Sequence, residues 1–289
     1  MAPTLRAFLE LTKPRIVMLV VITVVAGVLT APAAPGAGVL AMTLVHAVLG
    51  TALVAAGTNA LNQVAERDVD ARMRRTQSRP LPMGRLDVRM ATWFAWVAGA
   101  GGVFYLAVFL NGLTAALAAL TLVSYVFVYT PLKRRTTFAT VVGAVPGALP
   151  VLGGWAATGA PLGRDAWVLF WIVFLWQLPH FLALAWLYRE DYRRAELRML
   201  SVGDGDGTRT FGQAAVYAMA LLPVSLAPAV FGSAGTPYFL GALVLSAWLA
   251  WASVRALWRV SDQNARRLFG ASVTYLPALL FLMVLDRLA

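Results

Sequence analysis

The chain contains no cysteine among its 289 residues. Disulfides, thiolate zinc sites and thiolate ligation of haem are thereby excluded. Charge is scarce as well: 13% of residues are charged against 60% hydrophobic, and mean hydropathy is +0.72. Acids are the scarcer sign, 13 against 24 basic residues, and only two of the latter are lysines, Lys13 and Lys133. No soluble domain is expected to have this composition; it is that of a polytopic membrane protein. A net charge of +11 would suggest nucleic acid in a soluble chain. Here it fits basic loops facing anionic lipid and an anionic substrate, so no nucleic-acid partner is expected.

Apolar runs near the ~20-residue spanning length recur nine times. They are Ile16–Leu29 (extended by flanking small residues), Leu40–Leu61, Ala91–Leu110, Thr114–Tyr129, Phe138–Ala157, Ala166–Tyr188, Ala214–Phe231, Pro237–Trp258 and Leu268–Leu285. Lys13 and Arg15 ahead of the first run, with small residues from Ala31 to Ala34 after it, outline a signal peptide. Pro32 and Pro35 make a poor cleavage site, however, and a retained first span is expected. The connections alternate between short, almost uncharged ones and basic ones. Of the 24 Lys and Arg, 22 fall on one side, with only Arg164 and Arg287 opposite. The positive-inside rule then puts the N-terminus and the basic connections in the cytoplasm and the C-terminus outside.

The whole chain, 1–289, is expected to form one transmembrane domain. An acidic-then-basic connection follows the second span and another, Arg189 to Leu200, follows the sixth. Duplication of a four-helix unit, spans one to four and five to eight with a ninth added, would explain the pair; so would two ordinary solvated loops.

The densest polar stretch runs from Asn62 to Pro82, N-Q-V-A-E-R-D-V-D-A-R-M-R-R-T-Q-S-R-P-L-P, at the end of an apolar run. Asn62, Glu66 and Asp70 stand at i, i+4 and i+8, one stripe of a helix, with Asp68 roughly on the opposite side. An amide and two carboxylates there can hold Mg²⁺, which takes a few protein oxygens and completes its shell with water and phosphate oxygens. The same spacing also suits a solvated cap paired to local arginines. Tyr129-Thr-Pro-Leu-Lys133-Arg134-Arg135 closes the fourth span, and its cations could cradle a phosphate or merely mark topology. Gln177 and His180 are polar groups at membrane depth on one face of the sixth span, where Pro179 should kink or loosen the helix. An inter-helix hydrogen bond is the alternative for them. His46, in mid-span, is expected to be structural. Glu190 and Asp191 supply a second acidic pair. Gly203 to Gly207 contains part of a calcium-loop pattern without its closing Glu and is expected to be a flexible hinge.

Two acidic clusters, a Tyr-x-x-x-Lys element and nine spans resemble the UbiA superfamily of intramembrane prenyltransferases. Within it, N-x-x-x-E-R-D-x-D-x-x-M-x-R-T-x-x-R-P-L-P from Asn62 is similar to the signature of the protohaem IX farnesyltransferase family. So are L-T-K-P-R from Leu11, Y-T-x-L-K-R-R-T from Tyr129, G-A-x-P-G-A-L-P-x-L-x-G-W from Gly143 and F-L-W-Q-x-P-H-F from Phe174. The likeness implies an all-α bundle of nine transmembrane helices around a central cavity open to the cytosolic side of a bacterial inner membrane. It implies transfer of a farnesyl group from farnesyl diphosphate to a vinyl group of haem b, with addition of water, giving haem O. By position, Asn62, Glu66 and Asp70, with Asp68 nearby, would hold Mg²⁺ and diphosphate, and Asp191 with Glu190 a second ion. Lys133, Arg75 and Arg79 would bind diphosphate oxygens, with Arg134, Tyr129 and Gln177 as further substrate-binding candidates. His180 would face the porphyrin as ligand or acid/base. Downstream partners would be a haem A synthase or terminal-oxidase assembly factors.

The chain departs from the pattern in places. Leu187 stands where the superfamily's second cluster has an acid, four before Asp191. Glu196, Arg198 and Ser201 stand where the family reads Gly, Pro and Pro, and Leu178 replaces a frequent Pro. Two other functions share part of the pattern: prenylation of an aromatic acid in quinone synthesis, which lacks the E-R-D-x-D and Q-x-P-H-F elements, and non-catalytic haem handling or transport.

Overall fold

The computed structural model describes residues 5–32 and 36–288. Part of the expected cleavage-site segment, residues 33–35, lies outside them. Among the described residues all regular structure is helical. The elements are α1 (Leu5–Thr12), α2 (Pro14–Thr30), α3 (Ala37–Ala65), α4 (Arg67–Asp70), α5 (Val88–Phe109), α6 (Gly112–Val123), α7 (Thr130–Leu132), α8 (Ala139–Ala157), α9 (Arg164–Leu187), α10 (Arg189–Arg194), α11 (Thr208–Val230), α12 (Thr236–Trp258) and α13 (Asp262–Leu288). Eight helical segments are each long and apolar enough to cross a membrane; α6 counts together with the turn that follows it and α7. The ninth span is the pair α1–α2, bent by 48° at Lys13. Pro14 explains the break, because it has no N–H and bars its predecessor from the right-handed helical region.

Packing follows membrane rules. Large apolar side chains such as Trp93, Phe104 and Val244 point outward, while glycines let particular helix pairs approach closely. At the crossing of α3 and α5, a Cβ added to Gly57 would collide with the backbone of Gly99. Two main apolar clusters result: one of α1, α3, α5 and α6 with the segments beside them, one mainly of α8, α9, α11, α12 and α13.

Helix starts are fixed by side chains. Asp87 accepts from the N–H of Arg89 and Met90, and Asn111 from that of Thr114. The Gly203–Gly207 segment, expected as a flexible hinge, forms a capping turn. Asp204 is buried and accepts from the N–H of Thr210 at 2.7 Å and its hydroxyl at 2.7 Å, and Gly207 takes the left-handed backbone (φ 77°) that leads into α11. α9 runs unbroken through Pro179 from Arg164 to Leu187, so the expected loosening does not interrupt it. At the end opposite the basic connections, Thr30, Asp165, Ser233 and Arg287 line one small hollow, which brings the ends of α2, α11 and α13 to the start of α9.

Candidate functional site

The α1–α2 break builds one wall. Asn59 and Gln63 of α3 donate to the carbonyls of Thr12 and Leu11, the last two residues of α1, at 3.1 and 2.7 Å. Lys13 then takes the left-handed conformation, φ 53° and ψ 66°, which is worth roughly 1–2 kcal/mol of strain in a non-glycine residue. Its ammonium donates to Asn62 Oδ1 at 3.0 Å.

α3 ends one residue before Glu66, whose backbone departs from the helix (φ −105°, ψ 10°). Hydrogen bonds from Glu66 N to Asn62 O and from Asp70 N to Glu66 O carry the register across the break. The Asn62–Glu66–Asp70 stripe therefore survives without a continuous helix, and all three side chains are buried. Asn62 donates to Glu66 Oε2 at 3.0 Å and to Thr130 Oγ1 at 3.1 Å. Glu66 Oε1 pairs with the Lys133 ammonium. Asp70 Oδ2 accepts from Arg79 Nη1 at 2.7 Å, whereas its Oδ1 is sealed from solvent without any hydrogen-bond partner.

Lys133 arrives from the other side. Pro131 cannot donate back along the helix, and just before it the chain widens into a π-helical turn, Ser124–Tyr129, with Thr130 Oγ1 on Tyr125 O at 2.8 Å. That turn sets Lys133 over the ring of Tyr129, 4.9 Å from its centroid. Burial disfavours the Lys133 ammonium, yet the facing Glu66, together with Tyr125 and Tyr192, outweighs it and holds the group above the ordinary lysine pKa. The only two lysines of the chain thus meet on Asn62 and Glu66.

The second acidic connection joins the first. Asp191 in α10 accepts from the backbone N–H of Arg74 and Arg75 at 3.2 and 3.3 Å and pairs with Arg194. Burial alone would raise its pKa; Arg194 and the two N–H donors more than reverse this and hold it below the usual aspartate value. The Arg75 guanidinium lies 4.8 Å over Tyr188. The residues that depart from the family pattern complete the connection. Arg198 donates its N–H to Lys133 O at 2.9 Å, a bond proline could not make, and Ser201 donates to Ala185 O at 2.8 Å. Glu196 takes φ 56°, a glycine-like conformation at the very position where the pattern has glycine.

Not every candidate comes to this cluster. Asp68 is exposed and pairs with Arg67, and Glu190 is exposed and pairs with Arg193. Both point away, because the helical periodicity that turns Asp70 and Asp191 inward turns them outward. Arg134 is exposed. Gln177 is buried and donates to the carbonyls of Ala144 and Val173, filling the space where Gly147 has no Cβ; it ties α9 to α8. His180 lies between Trp176 and Phe269, ring centroids 5.2 and 4.8 Å away, and its Nδ1 meets Ser272 Oγ at 2.9 Å. His46 bonds Tyr105 at 2.8 Å and stacks on Phe109, in keeping with a structural place. Elsewhere on α9, Trp171 is exposed and Trp186 Nε1 donates to Asp262 Oδ1. Sequence reasoning missed Lys13. Its signals were its rarity and the proline after it.

Among the described residues no three His, Asp or Glu side chains gather into a complete metal cage. Mg²⁺ does not require one, since it keeps waters and substrate oxygens. The sealed, unpartnered Asp70 Oδ1 is an acceptor of the hard, anionic kind such an ion takes, so the donor set fits.

A model of the UbiA prenyltransferase family matches residues 19–283. The protoheme IX farnesyltransferase of Solibacter usitatus (strain Ellin6076) is 44% identical over 98% of this chain and 99% of its own. A solved digeranylgeranylglyceryl phosphate synthase superposes with a TM-score of 0.80 at 15% identity, covering 98% of both chains. A UbiA homolog from Archaeoglobus fulgidus bound to GPP and Mg²⁺ superposes at 0.62 and 17% identity, covering 96% of this chain and 99% of its own. At those identities the two structures speak for the helical arrangement alone.

Proposed function

The chain belongs to the UbiA prenyltransferase family, and we infer that it transfers a farnesyl group from farnesyl diphosphate to protohaem IX. It is an integral membrane, prenyl-transferring enzyme of the same kind as the farnesyltransferases it matches over nearly its full length. Addition at a haem vinyl group with water, giving haem O and diphosphate, is the finer form of this reaction.

The polar cluster is proposed as the diphosphate end of the site. Asn62, Glu66, Asp70 and Asp191 would hold Mg²⁺, whose positive charge helps neutralise the departing diphosphate. The Archaeoglobus fulgidus homolog is bound to GPP and Mg²⁺, and the same pairing of metal with diphosphate is proposed for this chain. Lys13, Lys133, Arg75 and Arg79 present cations that neutralise the same developing charge, as preorganised electrostatic stabilisation of a leaving group. Before substrate arrives Lys133 and Arg79 are paired with Glu66 and Asp70, so diphosphate and metal exchange partners with a ready-made set. Tyr129 and Tyr125 hold the Lys133 element in place. His180 faces the haem, and the helix walls keep water from the allylic cation. Asp68, Glu190 and Arg134 have no part in the proposed site.

The observation that supports this best is the convergence, from four separate chain segments, of both lysines, the Asn62 stripe and the Asp191 connection. The basic connections are proposed to be cytoplasmic, with the C-terminus outside and the site on the cytosolic side of the inner membrane. A division into two four-helix units, spans one to four and five to eight, with a last helix added, is part of the proposal. Incubating the purified protein with haem b, farnesyl diphosphate and Mg²⁺, and reading products by mass, tests the assignment. A farnesylated, hydrated haem is expected; product only from hydroxybenzoate or naphthoate acceptors would overturn it.

A further inference from the structure

We propose that Ser272 is a positioning residue that fixes the tautomer of His180 and so aims a free Nε2 lone pair at the haem iron. The Ser272 hydroxyl has one proton, and the proposal assigns it to Phe269 O, 2.7 Å away, a carbonyl that can only accept. The Ser272 oxygen then accepts from His180 Nδ1, 2.9 Å away. Nδ1 carries the proton and Nε2 carries the lone pair. Nε2 has no hydrogen-bond partner among the described residues. Nor is it sealed: the buried unpartnered side-chain atoms are Gln63 Oε1 and Asp70 Oδ1. An unprotonated imidazole nitrogen with no partner and not fully sealed results, in a span that contains no other histidine.

The surroundings hold the ring in that pose. Trp176 stacks on it with a 27° interplanar angle, Phe269 covers another side, and Trp176 Nε1 donates to the backbone carbonyl of Ser272 at 2.6 Å. α9 and α13 are thus locked at the level of His180, with Ser272 itself fully buried. A histidine whose second nitrogen donates to a fixed acceptor is the usual arrangement of a metal-ligating imidazole: the hydrogen bond sets the tautomer and raises ligand basicity. Haem is here the substrate, so the ligand would orient the porphyrin rather than perform chemistry on iron. This rests on the proposed placing of haem beside His180.

The test uses the full-length protein in detergent micelles, titrated with ferric haem b, then reduced for resonance Raman of the iron–histidine stretch. Wild type should show a histidine-ligated spectrum, and His180→Ala should lose it. Ser272→Ala should keep ligation, bind haem roughly 10-fold more weakly and shift the stretch to lower frequency, because Nδ1 no longer donates to an acceptor. Ser272→Thr, which retains the hydroxyl, should restore both. If Ser272→Ala does not elute as the wild type does, Ser272→Cys, with similar volume and a weaker acceptor, should show the same direction of shift. An unmoved stretch and affinity in the Ser272 variants, with His180→Ala still losing ligation, overturns the positioning role alone. A wild-type haem spectrum in His180→Ala overturns the placing of haem on which it stands.

Discussion

Replacing Lys133 with methionine separates what the Lys133–Glu66 pair does for the fold from what it does for the reaction. The two side chains are only 12% and 9% exposed, so this is a buried pair, and removing one partner of such a pair typically costs ~3–5 kcal/mol. Asn62 still donates to Glu66 Oε2, and Lys13 stands on the same asparagine, so part of the charge remains compensated. Lys133→Met is therefore expected to destabilise by about 2–3.5 kcal/mol. Combining it with Glu66→Gln removes both charges, and the double variant should return to within about 1 kcal/mol of wild type. Activity should not return with it, because neither the cation nor the carboxylate proposed for diphosphate and metal is present. Equilibrium unfolding in mixed detergent micelles, alongside the mass assay for product, gives both readouts for the four members of the cycle. A Lys133→Met variant as stable as wild type would refute the buried pair. A double variant with wild-type turnover would refute its chemical role.

Asp70→Ala is expected to abolish product formation while the protein still elutes as wild type, and Glu66→Gln to be partly rescued by raising Mg²⁺; a flat Mg²⁺ dose response would speak for a structural role instead. Glu196→Gly should stabilise by ~0.5–1 kcal/mol, since relief of the left-handed backbone outweighs an exposed pair with Arg72; denaturation midpoints decide it. Asp191 has its pKa held below the usual value, so its contribution is complete above the unfolded-state value of 3.8 and is lost as pH falls through the lower folded value. The α10 connection should accordingly keep its hydrogen-exchange protection from pH 7 to about 5 and lose it only in stronger acid. In Asp191→Asn that acid step should be missing.

The fold and half of the site are legible in single residues and local periods. Nine apolar runs give nine spans because a chain in lipid must satisfy its backbone within each helix. The i, i+4, i+8 spacing of Asn62, Glu66 and Asp70 needs only helical register, and that register survives the kink at Glu66. Pro14 announces the α1–α2 break, and the arginines mark one end of the bundle. What no local pattern contains is how separate segments meet. Lys13 is 49 residues from Asn62 and Asp191 is 117 from Arg74; those contacts exist because small residues let the helices close at fixed crossings. The same packing gave Gln177 to the backbone of α8. It also set Ser272 against His180, 92 residues away. Composition and period therefore determined the class, the spans and the kinds of group available. Which charges face one another, and which stay buried without a partner, was decided only when the helices packed, since pairing of charges in a low-dielectric interior depends on distance and desolvation, not on order in the chain.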